Sequence, residues 1–285
     1  MKHIDFWFLV IVISFASCDL GKGDEPVPYY VHVDDYTFTS GTAQGTARQQ
    51  FRDIWLFVND RYVGAYELPA TVPVVEDFPI RLKFLPGIRR NGSQNEPTRF
   101  PFAEPYEITV DQPNHLVDTF RPEFRYASDV ILPFIEDFDR FHFFNIEQDG
   151  NVETKISLST AEEAFEGQNS GIINLTKENP VLAAWNDLTF KIPVTPNQVF
   201  LELHYKSDIP FYIGFIGLKG NQTENLINAL VLPRKNWNKI YFDFADITNL
   251  SKSESYRLGV TAAFISDSAQ TEQKILIDNI KVTYR

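Results

Sequence analysis

The chain has 285 residues, of which 44% are hydrophobic and 14% aromatic, and its formal net charge is −12 at pH 7. This composition excludes a disordered chain, because it supplies enough apolar surface for a sizeable core. The negative charge and the lack of a basic cluster in the sequence argue against a nucleic-acid ligand, since Lys and Arg supply most of that affinity. A chain of this length favours two domains.

Residues 1–17 have the order of a secretory signal peptide. Lys2 precedes a continuous apolar run from Phe6 to Ile13, and small residues lead up to Cys18, the only cysteine. The run is too short for a membrane-spanning helix, which needs ~20 residues. The segment resembles a bacterial lipoprotein signal peptide, which implies that Cys18 becomes the lipidated first residue of the mature chain. The alternative is an ordinary signal peptide with a chance cysteine.

Residues 18–28 are rich in Gly, Pro and charge, and they predict a flexible tether between lipid and folded domain. Their acidic character is similar to the export signals of Bacteroidota lipoproteins. That resemblance implies an outer-membrane protein anchored by lipid, with its folded part on the cell surface. Placement on the inner leaflet is the alternative.

Residues 29–128 are predicted to form a small β-sandwich, because short alternating or apolar runs are separated by Pro, Gly and Asn. The predicted strands are Tyr29–Phe38, Asp53–Val58, Tyr62–Leu68, Pro79–Leu85, Tyr106–Val110 and Pro122–Tyr126. Asn59 and Asp60 predict a hairpin turn, since both residue types tolerate positive φ. The turn-rich residues 86–97 predict a long projecting loop. The stretch from Ile54 to Ala70 resembles Ig-like and PEGA-like β-sandwich modules, which implies a structural or spacer role.

Residues 129–285 predict a second domain with about nine antiparallel strands, a number that suits a jelly roll. These strands are Thr154–Leu158, Gly171–Leu175, Leu188–Ile192, Val199–Tyr205, Phe211–Leu218, Ile227–Leu232, Lys239–Phe244, Arg257–Ile265 and Ile275–Tyr284. The fold class predicted for the whole chain is therefore all-β, with two β-sandwich domains.

Three segments of this second region carry a resemblance to a known fold family. Glu136–Asp139, Trp237–Phe244 and Ile275–Val282 are similar to the opening, penultimate and closing elements of galactose-binding-like, carbohydrate-binding jelly rolls. The resemblance implies the jelly-roll fold. It also implies glycan binding as one activity that the fold hosts beside adhesive and purely structural roles.

Four aromatic residues are candidates for stacking on a sugar ring: Trp185, Trp237, Tyr205 and Tyr212. Sugar-binding modules of this kind use aromatic faces supported by a few hydrogen-bonding side chains. The alternative for each of the four is packing in the core. Trp185, between Ala184 and Asn186, is the better candidate for exposure, whereas Trp237 begins an apolar strand.

Two groups of carboxylates stand out. Glu136, Asp137 and Asp139, joined by Asp278 if the first and last strands are neighbours, could supply oxygen ligands to a calcium ion. A solvated acidic edge is the alternative. The second group, Glu162, Glu163 and Glu166, predicts a surface loop or a short helical turn.

Enzyme motifs are nearly absent from the sequence. It has no Gly-x-Ser-x-Gly elbow, no phosphate-binding glycine loop and no His-Glu-x-x-His. The leading hypothesis is therefore a non-catalytic lipoprotein that binds an outer-membrane protein as an accessory subunit. A glycan-binding surface lipoprotein is the second hypothesis. A hydrolase is the third, and it would need two carboxylates converging in a cleft.

Overall fold

The computed structural model describes residues 27–93, 95, 97–193 and 198–285. These residues form 21 strands and one short helix, so the predicted all-β class is confirmed. The predicted signal peptide, Cys18 and most of the predicted tether lie outside the described residues. Within the described part of the chain, no helix is long and apolar enough to cross a membrane.

Ten strands between residues 29 and 125 pair only with one another. They are β1 (Tyr29–Val33), β2 (Thr37–Thr39), β3 (Asp53–Val58), β4 (Arg61–Glu67), β5 (Ala70–Val74), β6 (Ile80–Arg89), β7 (Pro97–Arg99), β8 (Tyr106–Val110), β9 (Val117–Phe120) and β10 (Glu123–Arg125). The largest sheet has the order β4-β3-β6-β7, with β8 also beside β6, and the smaller sheets are β5-β1-β9 and β10-β2. Alternate residues of β3, from Ile54 to Val58, are buried in a shared core, as the period of a strand requires.

The turn between β3 and β4 is the predicted hairpin, with φ of 49° at Asn59 and 63° at Asp60. The predicted projecting loop at residues 86–97 is wrong. β6 continues to Arg89, and the turn that follows lies against the second half of the chain. There the Asn91 backbone N–H donates to the Tyr241 carbonyl at 2.7 Å, and the Asn91 side-chain oxygen accepts from the Asp243 N–H at 2.9 Å.

The remaining elements form a second sandwich. They are β11 (Ile131–Glu136), β12 (Ile146–Glu147), β13 (Ser157–Leu158), β14 (Gly171–Thr176), β15 (Val181–Trp185), β16 (Val199–Ser207), β17 (Phe211–Lys219), β18 (Gln222–Val231), β19 (Arg234–Asp243), α1 (Ala245–Ser251), β20 (Ser255–Ala263) and β21 (Glu272–Tyr284). The expected strand at Leu188–Ile192 is absent, because this segment makes only an isolated bridge from Phe190 to Tyr256.

Two sheets face each other across the core of this jelly roll. The first has the order β13-β14-β21-β16-β19, with the opening strand β11 beside the closing strand β21, and we call it the joining sheet. The second has the order β12-β15-β20-β17-β18, and we call it the open sheet. Alternate residues of both sheets fill one large hydrophobic core, so the other residues of each strand point away from it.

The two halves of the molecule pack through the outer face of the joining sheet. Phe200 and Tyr241 point away from the jelly-roll core and belong instead to the core of the first half. Phe200 meets Phe102 edge to face at 5.4 Å, and Tyr241 meets Phe100 at 5.7 Å between ring centroids. The strands on either side of residue 128 pair within their own halves. Independent folding of domains 29–128 and 129–285 stays a prediction.

Candidate functional site

The structure distributes the four candidate aromatic residues over three environments. Tyr205 is only 2% exposed and packs in the jelly-roll core against Phe211, so it is removed as a stacking residue. Trp237 lies on the joining sheet beside the ring of Phe165, at 5.2 Å. Trp185 and Tyr212 both lie on the outer face of the open sheet, away from the core residues that alternate with them.

The outer face of the joining sheet is covered by the protein itself. Residues 46–50 of the first half lie across it, and the loop that holds Phe165 covers the part near Trp237. The Phe165 ring stacks on the buried His204 ring, with 4.1 Å between ring centres. The guanidinium carbon of Arg48 lies 5.9 Å from the centre of the same Phe165 ring. Trp237 is partly buried and packs against Phe165 in this conformation, so its ring is less free to stack on a sugar than the sequence suggests.

A buried polar network joins the two halves beneath this cover. The Lys239 ammonium lies 2.7 Å from the Glu202 carboxylate, and both side chains are fully buried. Lys281 donates to the Thr46 carbonyl at 2.6 Å and to the Tyr126 hydroxyl at 3.3 Å. The network thus ties β16, β19 and β21 to the first half of the chain through charge-assisted hydrogen bonds.

Burial and neighbouring charges set the ionisation of this network. Burial alone would raise the pKa of Glu202, but the ammonium groups of Lys239 and Lys281 bring that pKa below its ordinary value. Burial lowers the pKa of Lys281 to about 7, although the Glu202 carboxylate opposes the shift. Burial, with help from the same two lysines, also lowers the pKa of His204, which is therefore neutral at physiological pH.

The outer face of the open sheet, in contrast, is partly exposed, and its two rows around Trp185 and Tyr212 carry no charged side chain; Arg257 lies in the next row, opposite Ile216. One cross-strand row runs from Ala183 through Thr261 and Tyr212 to Leu230. Tyr212 is 46% exposed in this row. The only polar side chains of the row are the Thr261 hydroxyl and the Tyr212 phenol, which suits a surface that recognises a neutral ligand.

The neighbouring row explains how Trp185 is held. It runs from Trp185 through Gly259 and Gly214 to Ile227. A Cβ at Gly259 would lie 2.5 Å from Cδ1 of Ile227 and 3.1 Å from Cδ1 of Trp185. The glycine therefore lets the indole approach the strand backbone closely, and Trp185 is partly exposed.

Trp185 and Tyr212 are close enough to contact one extended ligand. Strand β20 lies between Trp185 on β15 and Tyr212 on β17, and the rows that hold the two residues are two residues apart along the strands. With ~4.8 Å between strands and ~3.4 Å per residue, their Cα atoms are roughly 12 Å apart. The sequence alone singled out both aromatic residues. It gave no weight to Gly214 and Gly259, although an isolated glycine in a strand signals a close approach of this kind.

The predicted acidic group of β11 and β21 is largely occupied by the protein's own donors. The two oxygens of Glu136 accept backbone N–H groups from Phe138 at 2.9 Å and Phe143 at 2.7 Å. Asp278 accepts the Ser170 hydroxyl at 2.7 Å. Burial raises the pKa of Glu136 and of Asp278 to about 7, against the effect of these hydrogen bonds.

The other two acidic candidates hold turns. Asp139 accepts the Gln168 backbone N–H at 2.8 Å, and Asp137 accepts the Asp139 backbone N–H at 3.2 Å. Among the described residues, no three His, Cys, Asp or Glu side chains are grouped so that they could hold a metal ion. Calcium at Glu136, Asp137, Asp139 and Asp278 stays a prediction.

Comparison with known proteins identifies structural neighbours but no family. No protein-family model matches the chain, and no curated protein is significantly similar to it. Among solved structures, a family-61 carbohydrate-binding module in complex with β-1,4-galactotriose is 9% identical, with a TM-score of 0.33, and the match covers 50% of this chain and 90% of the module. A family-30 carbohydrate-binding module of a Clostridium thermocellum cellulosomal cellulase is 14% identical, with a TM-score of 0.36, over 54% of this chain and 96% of the module. The xylan-binding domain of a Paenibacillus barcinonensis protein is 12% identical, with a TM-score of 0.36, and the match covers 53% of this chain and 99% of that domain.

These structural neighbours are carbohydrate-binding modules. Likenesses of this size do not identify a ligand for this chain, so its ligand has to be inferred from its own surface.

Proposed function

We propose that this chain is a non-catalytic glycan-binding protein that binds sugar with the outer face of the open sheet. The observation that carries the proposal is the pair Trp185 and Tyr212 on one open sheet face, in two rows without a charged side chain. Aromatic rings provide large apolar faces against which a pyranose ring can stack, and their polar atoms offer hydrogen bonds at the rim. The row that holds Thr261 adds a hydroxyl between the two aromatic positions.

The face favours a neutral, extended polysaccharide. The rows that contain the two aromatic residues have no charged side chain. The Arg257 guanidinium in the next row donates a hydrogen bond to the Asn186 carbonyl at 2.8 Å. A ligand that contacts both rings has to span roughly 12 Å, which requires more than one sugar residue. The proposal includes attachment to the outer membrane through lipid on Cys18, supported by the order of residues 1–18.

Replacing Trp185 or Tyr212 with alanine is expected to weaken binding to a neutral polysaccharide about ten-fold each, equivalent to about 1.4 kcal/mol. Affinity electrophoresis against a panel of soluble polysaccharides measures this effect as the loss of retardation. Phe141→Ala is the matched control, because Phe141 is an exposed aromatic residue of the same sandwich outside this face. Unchanged retardation in both variants, with a polysaccharide that retards the parent chain, would contradict the proposal.

A second candidate function is docking of another protein, as an accessory subunit of an outer-membrane assembly. Two observations favour it. Val181 and Leu230 expose apolar side chains on the same face, and β18 pairs only with β17 among the described residues, so its other edge is open. An exposed edge offers free backbone groups to a partner strand.

Affinity purification of the tagged, lipidated protein from its native membranes in mild detergent distinguishes the two candidate functions. The glycan-binding function predicts that the protein is recovered without a stoichiometric protein partner. Recovery of such a partner, with loss of that partner in a Leu230→Ser variant, would favour the docking function instead.

A further inference from the structure

A cavity lies between the two halves of the molecule, apart from the open sheet. Its volume is about 760 Å³, within the range of small-molecule sites. Both halves contribute to the wall. Its lining includes Trp55, Leu85, Arg99, Pro101, Gln198 and Arg285.

An arginine is held at one side of the cleft by aromatic stacking. Arg99 on β7 lies with its guanidinium carbon 5.7 Å from the ring centre of Trp55 on β3. The indole in turn stacks on Tyr62 of β4, at 5.2 Å and an interplanar angle of 29°. A Cβ at Gly87 would lie 3.1 Å from Nε1 of Trp55, so the glycine makes room for the indole. Arg99 is exposed, and a guanidinium that lies over an aromatic ring keeps its N–H groups available for a planar anion.

The local charge of the cleft is opposite to that of the whole chain. Arg285 at the opposite side is neutralised by Asp129, at 2.6 Å. Among the described residues, no carboxylate pairs with Arg99. Among the described residues that line the cleft, Arg99 therefore carries a positive charge that no carboxylate pairs with, in a protein with a net charge of −12. Such a site favours an anion, which most of the surface repels.

We propose that this cleft binds the carboxylate of an acidic sugar, a uronic acid, with Arg99 as the residue that contacts the carboxylate. The inference rests on the proposed glycan-binding function and deepens it, because it adds a charge-reading site to the neutral face of the open sheet. Arg99 donates two N–H groups to the two carboxylate oxygens. Trp55 acts as a positioning residue that holds the guanidinium, and Gln198 offers a side-chain amide to sugar hydroxyl groups.

Titrations with D-galacturonate and D-glucuronate test the proposal, with their methyl esters as uncharged controls. The chain from Asp19 onward retains the tryptophans at positions 55, 185 and 237, whose indole N–H signals report separately on the cleft, the open sheet and the joining sheet. We expect the Trp55 signal to shift with at least one of the two acids. Binding should be about ten-fold weaker for the corresponding ester, and about ten-fold weaker in Arg99→Ala, which is the loss of one charge-assisted contact.

The matched control is Arg121→Ala, which removes an exposed arginine paired with Asp35 outside the cleft. Arg99→Lys should bind more weakly than the parent chain, because an ammonium group does not form the bidentate contact. No shift of the Trp55 signal with either acid, or equal binding of acid and ester, would overturn the proposal. A shift confined to Trp185 would overturn it while leaving the proposed function intact. If Trp185→Ala leaves neutral polysaccharide binding unchanged but the acids still shift Trp55, the open-sheet function fails and the cleft site stands.

Discussion

Replacing Glu202 with alanine is expected to destabilise the protein by about 3–5 kcal/mol, because it leaves the buried ammonium groups of Lys239 and Lys281 without a counter-charge. The carboxylate lies 2.7 Å from Lys239 and also accepts the Thr283 hydroxyl at 3.2 Å. Burial prevents water from taking over these contacts. Denaturant unfolding, followed by tryptophan fluorescence, measures the loss as a lower midpoint.

The matched control is Glu104→Ala, which removes an exposed ion pair with Arg125 and is expected to change stability by about 0–1 kcal/mol. A triple variant in which Glu202, Lys239 and Lys281 become Leu, Met and Met should recover most of the loss, because no buried charge is left unpaired. A loss below about 1 kcal/mol in Glu202→Ala would show that the network does not hold the two halves together.

The free energy of unfolding is expected to rise with pH between about pH 7.5 and 9.5, by about 1.4 kcal/mol per pH unit from Lys281 alone. The folded protein releases the Lys281 proton near pH 7, whereas the unfolded chain keeps it to about pH 10.5. The unfolded state therefore binds more protons across this range, so stability increases as pH rises and is lost as pH falls toward 7. Urea unfolding at a series of pH values measures the slope.

Lys281→Met should be less stable overall, because the Thr46 carbonyl loses its donor. The pH dependence of its stability is the test. Without the titrating group, the free energy of unfolding should rise by about 1.4 kcal/mol less per pH unit between about pH 7.5 and 9.5. The control is Lys274→Met. Lys274 lies on β21, as Lys281 does, but it is partly exposed and paired with Glu163, so this variant should keep the slope of the parent chain. Equal slopes in the parent chain and Lys281→Met would rule out Lys281 as the source.

The sequence predicted the strands whose two faces differ. The bounds of β3 and β8 were predicted correctly. β8 alternates between partly buried and exposed residues, and β3 is followed at once by the turn at Asn59. β15 was missed, since Val-Leu-Ala-Ala-Trp has no polar residue to mark an exposed face. The turn after β6 was misplaced for a different reason: its composition predicts a turn but does not show that Asn91 binds Tyr241 more than a hundred residues later.

The candidate site was predictable only in part, because the joining sheet is buried on both faces. β16 is buried along nearly its whole length, so Tyr205 and Glu202 could not be assigned to a face from their spacing. Trp185 and Tyr212 were both candidates for stacking on a sugar, and Trp185 was the better candidate for exposure. Their meeting on one face depends on the pairing of β15, β20 and β17. Pairing between strands distant in sequence is set by tertiary packing and leaves no local signal.

Hydroxyl-radical footprinting, with the polysaccharide that retards the protein most strongly, tests directly whether sugar binds to the outer face of the open sheet, because side chains covered by ligand become less oxidised. We expect protection of Trp185 and Tyr212, with Phe141 and Trp237 unchanged. Protection of Trp237 and Phe165 without protection of Trp185 would contradict binding at the open sheet, because the ligand would then have bound at the joining sheet instead.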